Sequence, residues 1–260
     1  SSLDDTLSIL KSQKDSRINI LENKKNLGVA KANNQGITKA IKDKCDHVLL
    51  INNDVEFEFT LIEKMLQVQK EKRCSLVSPK MMYFENPNMI WYAGSWFLKN
   101  KGYIPLHRGQ KQLDVGQFDK TIEVEYAPTC CLLAKKQVFD DIGLMNERYF
   151  VYFDDTDFAY RVLKDGRHKL LYFPHVKFYH KVGSLTKSRN LDGENKCLAD
   201  FFIKQNTMNH IYFLKQIGGW FSYMFIIWLF FKNNIRFCIN NQIKKNFATW
   251  WLINKSYFKG

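Results

Sequence analysis

Strand-like and helix-like segments alternate through about the first 200 residues of this 260-residue chain. Residues 29–42 are helix-like, the apolar run at residues 47–51 is strand-like, and residues 60 to about 72 are helix-like again. This alternation is typical of α/β proteins, in which helices cover a sheet. The continuous apolar character of residues 47–51 indicates a buried strand of the parallel type. The pattern therefore predicts an α/β domain, and the chain is long enough to bury a full core.

Further elements follow the same alternation. The middle of the chain, residues 83–125, has little periodicity, so we expect short strands and loops there, on a surface that faces a substrate. A helix is expected at residues 135–142, where Gly143 would end it. Additional strands are expected at residues 17–21, 76–81, 126–134, 169–173 and 176–180. From about residue 198 the pattern becomes helical and stays so, which predicts a separate C-terminal appendage.

A cluster of acids follows a run of aromatic residues in the segment YFVYFDDTDFAYR, which begins at Tyr149. Its carboxylates are Asp154, Asp155 and Asp157, and burial together with like-charge repulsion should raise the pKa of at least one of them. Such a group can serve as a general base or as an anionic pocket for a cation. The same residues also fit a helix with acids in its first turn and Gly166 at its end.

A loop rich in glycine and asparagine enters the first predicted helix with the sequence NLGVAKANNQG. Loops of this kind expose backbone N–H groups at the positive end of a helix, where a phosphate or a sugar hydroxyl can bind. Asn26, Gly28 and Asn33 are therefore candidate binding residues. A tight turn that only begins a helix would require the same residue types.

Oxygen-bearing side chains follow the apolar strand at residues 47–51. Asn52 and Asp54 can both turn toward one cation, and Mg²⁺ and Mn²⁺ prefer oxygen ligands and often bridge a diphosphate. Ligands of open α/β sheets also gather where strands end. An Asx-turn that ends the strand is the alternative. His180 closes a later strand and could bind a metal, although a lone histidine is usually structural.

The C-terminal segment, residues 201–260, contains eight basic residues and no acidic ones, in a chain of net charge +13. Four of the six tryptophans lie in the same segment. The run GGWFSYMFIIWLFF, at residues 218–231, is too short to span a bilayer comfortably but suits a helix at a membrane interface. We therefore favour association with a membrane surface over a buried core or oligomer helix, and over nucleic-acid binding.

Four segments occur in an order that resembles a known family: NLGVAKANNQGI, LLINNDV, CCLLAKKQVFDDIGLMNERYFVYFDDTDFAYRVLKDG and PHVKFYHKVGS. Together they look like the family 2 glycosyltransferases of the GT-A fold, and most like the bacterial rhamnosyltransferase-like members. The resemblance covers roughly residues 1–184. It implies an inverting transfer from a nucleoside-diphosphate sugar to an acceptor hydroxyl, in a Rossmann-like sheet with helices on both faces.

The resemblance also implies roles for particular residues. Asn52 and Asp54 match the family's metal-binding DxD position, with Asp54 the expected contact of Mg²⁺ or Mn²⁺, and His180 would approach the metal or the diphosphate. In the acidic pair Asp154–Asp155, the second residue would be the general base, and Asp157 would support the site or line the acceptor pocket. The donor would bind at Asn26, Gly28, Asn33, Asn52, Asn53 and Asp54.

The resemblance further implies a domain organisation and a location. Residues 1–197 would form a GT-A domain that lacks the family's first strand and helix, and residues 198–260 a basic, aromatic appendage that associates with the membrane. The acceptor would be a lipid-linked glycan in cell-surface polysaccharide synthesis, and the protein would be peripheral on the cytoplasmic face of the inner membrane. The six cysteines include no CxxC pair, which is typical of reduced cytosolic thiols.

Two alternatives remain open at this point. The absence of the family's first strand is compatible with a catalytically impaired remnant that keeps the fold and docks on membranes or partner proteins. A glycoside hydrolase would also use paired carboxylates, but it would leave Asn52 and Asp54 without a function.

Overall fold

The fold, seen in a computed structural model that describes residues 5–181, 194–239 and 247–260, is built on a mixed seven-stranded sheet. The α/β class expected from the sequence is confirmed. The strands of this sheet are β1 (His47–Ile51), β2 (Val55–Phe57), β3 (Leu76–Tyr83), β4 (Ile90–Tyr92), β7 (Ile122–Val124), β8 (Cys131–Lys135) and β9 (Leu170–His180). Two short strands, β5 (Phe97–Leu98) and β6 (Ile104–Pro105), pair with each other outside it.

The sheet runs in the order β1-β8-β3-β9-β2, with β4 added to β3 and β7 to β9. The central strands β3 and β9 are parallel, whereas β8 pairs antiparallel with both β1 and β3. At the other edge, β2 pairs antiparallel with β9, and Val55 lies opposite His180. This register brings the residue before β2, Asp54, next to the end of β9.

Five helices belong to the sheet-containing part of the chain: α1 (Thr6–Ser12), α2 (Val29–Lys42), α3 (Leu61–Glu71), α4 (Lys136–Ile142) and α5 (Asp154–Asp165). In α3 the apolar residues Leu61, Met65 and Val68 recur at helical spacing and are buried, because α3 packs on the central strands β3 and β9. α5 begins with the three acids and ends at Gly166, which is in the left-handed conformation. The predicted helix with an acidic first turn is therefore confirmed.

Three predictions about strands are corrected. β1 does not pair in parallel: among the described residues it pairs antiparallel with β8, and His47 and Ile51 are exposed. Residues 17–21 are not a strand but irregular chain, without ladder hydrogen bonds to a described strand. The two strands expected at residues 169–173 and 176–180 are one continuous strand, because β9 passes through Pro174 while shifting its register against β3.

The C-terminal part is helical, as predicted, and consists of α6 (Glu194–Ile217), α7 (Gly219–Ile239) and α8 (Phe247–Lys259). α6 packs against both α7 and α8. None of the helices in the described ranges is long and apolar enough to cross a membrane. α6 also contacts the sheet-containing part directly, since His210 donates from Nε2 to the carbonyl oxygen of Gly102 at 2.8 Å.

Candidate active site

Two adjoining pockets lie where β1 ends and α2 and α5 begin. The larger, of about 920 Å³, is lined by five of the predicted donor residues: Asn26, Gly28, Asn33, Asn52 and Asn53. The second, of about 490 Å³, is lined by Asn52, Asp54, Asp154, Asp155 and His180. Asn52 borders both pockets. The structure thus brings together nearly all of the residues that the sequence singled out, although they come from four separate segments.

The large pocket is shaped by the turn that begins α2. Gly28 has φ +83° and ψ 172°, a conformation that is essentially restricted to glycine. A Cβ atom at this position would lie 2.4 Å from the carbonyl oxygen of Phe150, which accepts a hydrogen bond from the Val29 N–H at 2.8 Å. Asn26 accepts a hydrogen bond from the Gly28 N–H at 2.9 Å, so its side chain both holds the turn and lines the pocket.

Asp54 and His180 form a pair on one side of the smaller pocket. Their Oδ1 and Nε2 atoms are 3.4 Å apart, as the pairing of β2 with β9 requires. Burial lowers the pKa of His180, against the opposing effect of Asp54, and a neutral imidazole is the form that binds metals. The Nδ1 atom of His180 is buried and has no hydrogen-bond partner among the described residues.

The oxygen and nitrogen atoms of Asn52, Asp54 and His180 suit a divalent cation that takes most of its ligands from water and from a substrate. Among the described residues, no three His, Cys, Asp or Glu side chains are grouped so that they could hold a metal ion by themselves. Mg²⁺, however, commonly binds through one or two protein carboxylates together with water and the phosphates of a substrate. Asp54, with Asn52 and His180 in the same pocket, supplies a partial set of that kind.

Hydrogen bonds hold the carboxylate of Asp155 in the same pocket. Its Oδ2 accepts a hydrogen bond from the Tyr126 hydroxyl at 2.7 Å, and its Oδ1 accepts one from the Thr156 N–H at 2.7 Å. Burial raises the pKa of Asp155, while the hydrogen bonds from Tyr126 and Thr156 oppose that rise because they stabilise the carboxylate. The side chain is therefore oriented and supported in its charged form.

Asp154 lies beside it in a different environment. Its side chain is buried, and burial, reinforced by the negative charge of Asp155, raises the pKa of Asp154 to about 8. The predicted rise in a carboxyl pKa is confirmed. Two neighbouring carboxyls with different surroundings titrate as a coupled pair, in which one is ionised while the other holds a proton. The hydrogen bonds favour Asp155 as the ionised member.

Asp157 does not line either pocket, although its charge contributes to the raised pKa of Asp154; that it supports the site or lines an acceptor pocket stays a prediction. Its carboxylate accepts a hydrogen bond from Arg161 Nε at 2.8 Å, and Arg161 in turn donates to the carbonyl oxygens of Ile142 and Leu144. The helical spacing explains this placement, because Asp157 and Arg161 are one turn apart on α5. Asp157 thus connects α5 to the end of α4.

Several pocket residues were not found from the sequence. Trp91 and His107 line the smaller pocket from the poorly periodic middle of the chain, and Tyr126 lines it from the start of the strand expected at residues 126–134, which in the structure begins only at Cys131. α6 contributes further residues, since Asn206 borders the smaller pocket and Phe201 and Phe202 border the larger one. No local motif marks these residues; only the tertiary fold brings them to the acids.

Comparison with known proteins places this geometry in context. The family model described as "Glycosyl transferase family 2" matches residues 1–143, which is more than half of the chain. The match includes the turn at Gly28 and the Asn52–Asp54 segment, and it ends before the acid pair.

Two characterised relatives match at low identity. The "Low-salt glycan biosynthesis hexosyltransferase Agl10" of Haloferax volcanii is 23% identical over 152 residues, covering 57% of this chain and 47% of the relative. The "dTDP-rhamnosyl transferase RfbF" of Shigella flexneri is 22% identical over 171 residues, covering 66% of this chain and 54% of the relative. The chain therefore spans about half the length of the relatives that it matches.

Among solved structures, the crystal structure of S. aureus TarS has a fold similar to that of this chain, with a TM-score of 0.51 and 13% sequence identity. The similarity covers 80% of this chain and 36% of TarS. At this identity the likeness concerns the fold alone.

Proposed function

The chain belongs to glycosyl transferase family 2, and on that premise we propose that it transfers a sugar from a nucleoside-diphosphate sugar to an acceptor hydroxyl, with inversion. The observation that supports this proposal most directly is the junction of the two pockets at Asn52. A nucleotide in the larger pocket would extend its diphosphate toward Asp54 and its sugar toward the acid pair. The acceptor would enter the smaller pocket from the side of Asp155.

In this mechanism Asp155 is the general base. Its Oδ1 accepts from both the N–H and the hydroxyl of Thr156, whereas its Oδ2 accepts from Tyr126 and keeps a lone pair that can accept the proton of an attacking hydroxyl. A carboxylate within hydrogen-bond reach of that hydroxyl removes its proton as the bond to the sugar forms. Asp154 would be the protonated partner. The pair would then carry a single negative charge, on Asp155, and no second negative charge would oppose the ionisation of Asp155.

Asp54, assisted by Asn52 and His180, would hold Mg²⁺ or Mn²⁺. When bound, such a cation neutralises the charge that grows on the leaving diphosphate. Asn52 contributes an amide where the family pattern has an acid, so the residues themselves supply one negative charge rather than two. His180 fixes the orientation of Asp54 through their contact at the edge of the sheet.

Calorimetric titration with UDP and with dTDP, with and without Mn²⁺, tests donor binding. We expect a dissociation constant below about 1 mM in the presence of Mn²⁺ for at least one of the two nucleotides. Absence of heat at millimolar concentrations of both nucleotides would favour the alternative of a catalytically impaired remnant that docks on membranes or partner proteins.

Variants at the cation pair sharpen this titration. Asp54→Asn should weaken Mn²⁺-dependent binding at least about tenfold, because it removes the charged ligand, and Asn52→Asp should strengthen it by adding a second one. Asn53→Asp is the matched control, since it adds the same charge at a neighbouring residue that borders only the larger pocket. If Asn52→Asp and Asn53→Asp changed binding equally, Asn52 would have no part in holding the cation.

The acceptor in this proposal is a lipid-linked glycan in cell-surface polysaccharide synthesis. The protein would act as a peripheral protein on the cytoplasmic face of the cell membrane.

An apolar stripe on α7 supports the proposed association with a membrane: exposed apolar residues recur every three or four positions along one side of the helix. They are Trp220, Tyr223, Met224, Ile227, Trp228, Phe231 and Ile235. Exposed Trp251 and Phe247 add to the apolar surface from α8. Residues 201–260 carry basic side chains and no acidic ones, which suits an anionic lipid surface.

Sedimentation with vesicles of phosphatidylglycerol and phosphatidylcholine tests this attachment. Replacing Trp228 and Phe231 together by Glu should weaken vesicle binding at least about tenfold, because both side chains lie in the apolar stripe. Phe59→Glu with Val115→Glu adds the same two charges at exposed apolar residues outside α7 and should change binding much less. Equal losses in the two double variants would show that net charge alone governs binding.

A further inference from the structure

The four residues before the acid pair form a strained bridge between the two halves of the site. Tyr152 and Phe153 both have positive φ, 65° and 67°, although neither is glycine. Such backbone angles are unfavourable for residues other than glycine and persist where the surroundings hold them in place. On the N-terminal side, the Phe150 carbonyl accepts from Val29 at the donor turn; on the C-terminal side, Asp154 begins α5.

One side chain of α6 holds the strained residues from the other side. Asn209 is 2% exposed, and its Nδ2 donates to the carbonyl oxygens of Val151 at 2.9 Å and Tyr152 at 3.0 Å. Both hydrogens of the amide are thus used on two consecutive peptide groups. An amide with this geometry fixes the direction of the backbone that leads into the acids.

Neighbouring residues of α6 hold the aromatic ring of the bridge. His210 stacks on Phe153, with ring centroids 5.3 Å apart and an interplanar angle of 22°, and Phe213 lies 5.7 Å from the same ring. The hydrogen bond from His210 to Gly102 fixes the imidazole in turn. Val151, Tyr152 and Phe153 all line the pocket that contains Asp154 and Asp155.

We propose that Asn209 is a positioning residue of the active site. By binding the backbone carbonyls of Val151 and Tyr152 as a clamp, it fixes the position of Asp154 and Asp155 and helps to keep water away from their carboxyls. This inference rests on the proposed function for the meaning of the pair, whereas the clamp itself is a matter of geometry. It also makes α6 a structural part of the catalytic centre, across the boundary at residues 197/198 that the sequence suggested.

Loss of the clamp should affect the acids in a defined way. Without the Asn209 amide, the strained turn can relax toward ordinary backbone angles, and Tyr152 and Phe153 no longer cover the pair. Water then reaches the carboxyls, which reduces the effect of burial on their pKa. The fold of the sheet should remain, because Asn209 contacts no strand residue in its described hydrogen bonds.

The test uses the whole protein labelled with ¹³C at the aspartate carboxyls. The carboxyl shifts of Asp154 and Asp155 are followed against pH, and the Asp154→Asn and Asp155→Asn spectra provide the assignments. In Asn209→Ala the apparent pKa of the pair should fall by about 1, and hydrogen exchange at residues 150–153 should become at least about tenfold faster. This variant replaces none of the other titratable residues at or beside the pair, so a shift cannot come from the loss of a charge. These residues are Asp54, His107, Tyr126, Cys130, Asp157 and His180.

Asn233→Ala is the matched control, since it removes a similar amide, which donates to the Tyr257 hydroxyl at 2.8 Å and joins α7 to α8. It should leave the acid pair unchanged. An unaltered titration in Asn209→Ala, or an equal change in both variants, would overturn the proposal. If Asn209→Ala does not fold, Asn209→Leu fills a similar space and removes the donor without adding a charge. Neither readout uses a nucleotide, so failure to bind UDP or dTDP would overturn the proposed function and leave the clamp standing.

Discussion

Asp155→Asn should lower the rate of sugar transfer about 10²–10⁴-fold, the range by which a general base contributes, while leaving nucleotide binding nearly unchanged. The amide has the same shape: its oxygen can accept from the Thr156 N–H, and its NH2 group can donate to the Tyr126 hydroxyl, so the pocket should keep its form. What it lacks is the ability to take a proton from the attacking hydroxyl. Release of nucleoside diphosphate from the sugar nucleotide that the unaltered protein turns over measures this effect, and calorimetry measures the binding.

Asp165→Asn is the control for this variant, because it makes the same change at the exposed end of the same helix, where Asp165 pairs with Arg167. Its rate should stay within about twofold of the unaltered protein, since exposed ion pairs contribute little. Near-normal turnover by Asp155→Asn would remove Asp155 from the role of base. Asp154→Asn would then be the next variant to measure, because Asp154 is the other carboxyl of the pair in the pocket.

Gly28→Ala should be the most damaging small substitution in the donor pocket. The backbone angles at Gly28 are essentially closed to other residues, and the added methyl group would overlap the Phe150 carbonyl oxygen. We expect the free energy of unfolding to fall by about 2–4 kcal/mol, from backbone strain and overpacking together. Nucleotide binding should weaken as well, since the hydrogen bond from Val29 to Phe150 cannot keep its geometry.

Gly36→Ala should have the opposite effect on stability, in the helix that Gly28 precedes. Gly36 lies inside α2, and a Cβ atom there meets nothing within 4 Å. The substitution should raise the free energy of unfolding by about 0.5–1 kcal/mol, because alanine loses less backbone freedom in a helix. Urea unfolding of the two variants side by side measures both effects. Equal destabilisation would mean that the conformation of Gly28 is not the cause.

The sequence revealed those parts of the site that depend on short, local patterns. The turn at Gly28, the Asn52–Asp54 segment and the acids at the start of α5 each belong to a strand end or a helix start. At the end of a strand or the start of a helix, the residue type indicates the role of the position, and the structure brings these segments together around two adjoining pockets. The short acidic segment did not indicate that Asp157 binds Arg161, one helical turn later on α5.

Long-range features could not be predicted in this way. Tyr126 reaches Asp155 from a segment 29 residues earlier in the chain, and Asn209 reaches the strained turn from a helix that the sequence assigned to an appendage. The apolar pattern of β1 also could not distinguish a parallel from an antiparallel partner, since both kinds of buried strand read as apolar runs. In each case the partner lies many residues away, and only packing brings the two together.

The pairing of Val55 with His180 has a consequence for how the protein acquires its site. Asp54 and His180 come from distant parts of the chain, and the three-residue strand β2, with the hydrogen bond from the Lys181 N–H to the Asp54 carbonyl oxygen, aligns them. Contacts so far apart in sequence form slowly, because a long loop must close first. During synthesis, the donor turn must wait for Phe150, which accepts from Val29, and the cation pair must wait until β9 has left the ribosome. A slip of β2 by one residue would turn its side chains to the opposite face. The pairing of Asp54 with His180 is therefore among the last parts of the candidate site that the folding chain forms.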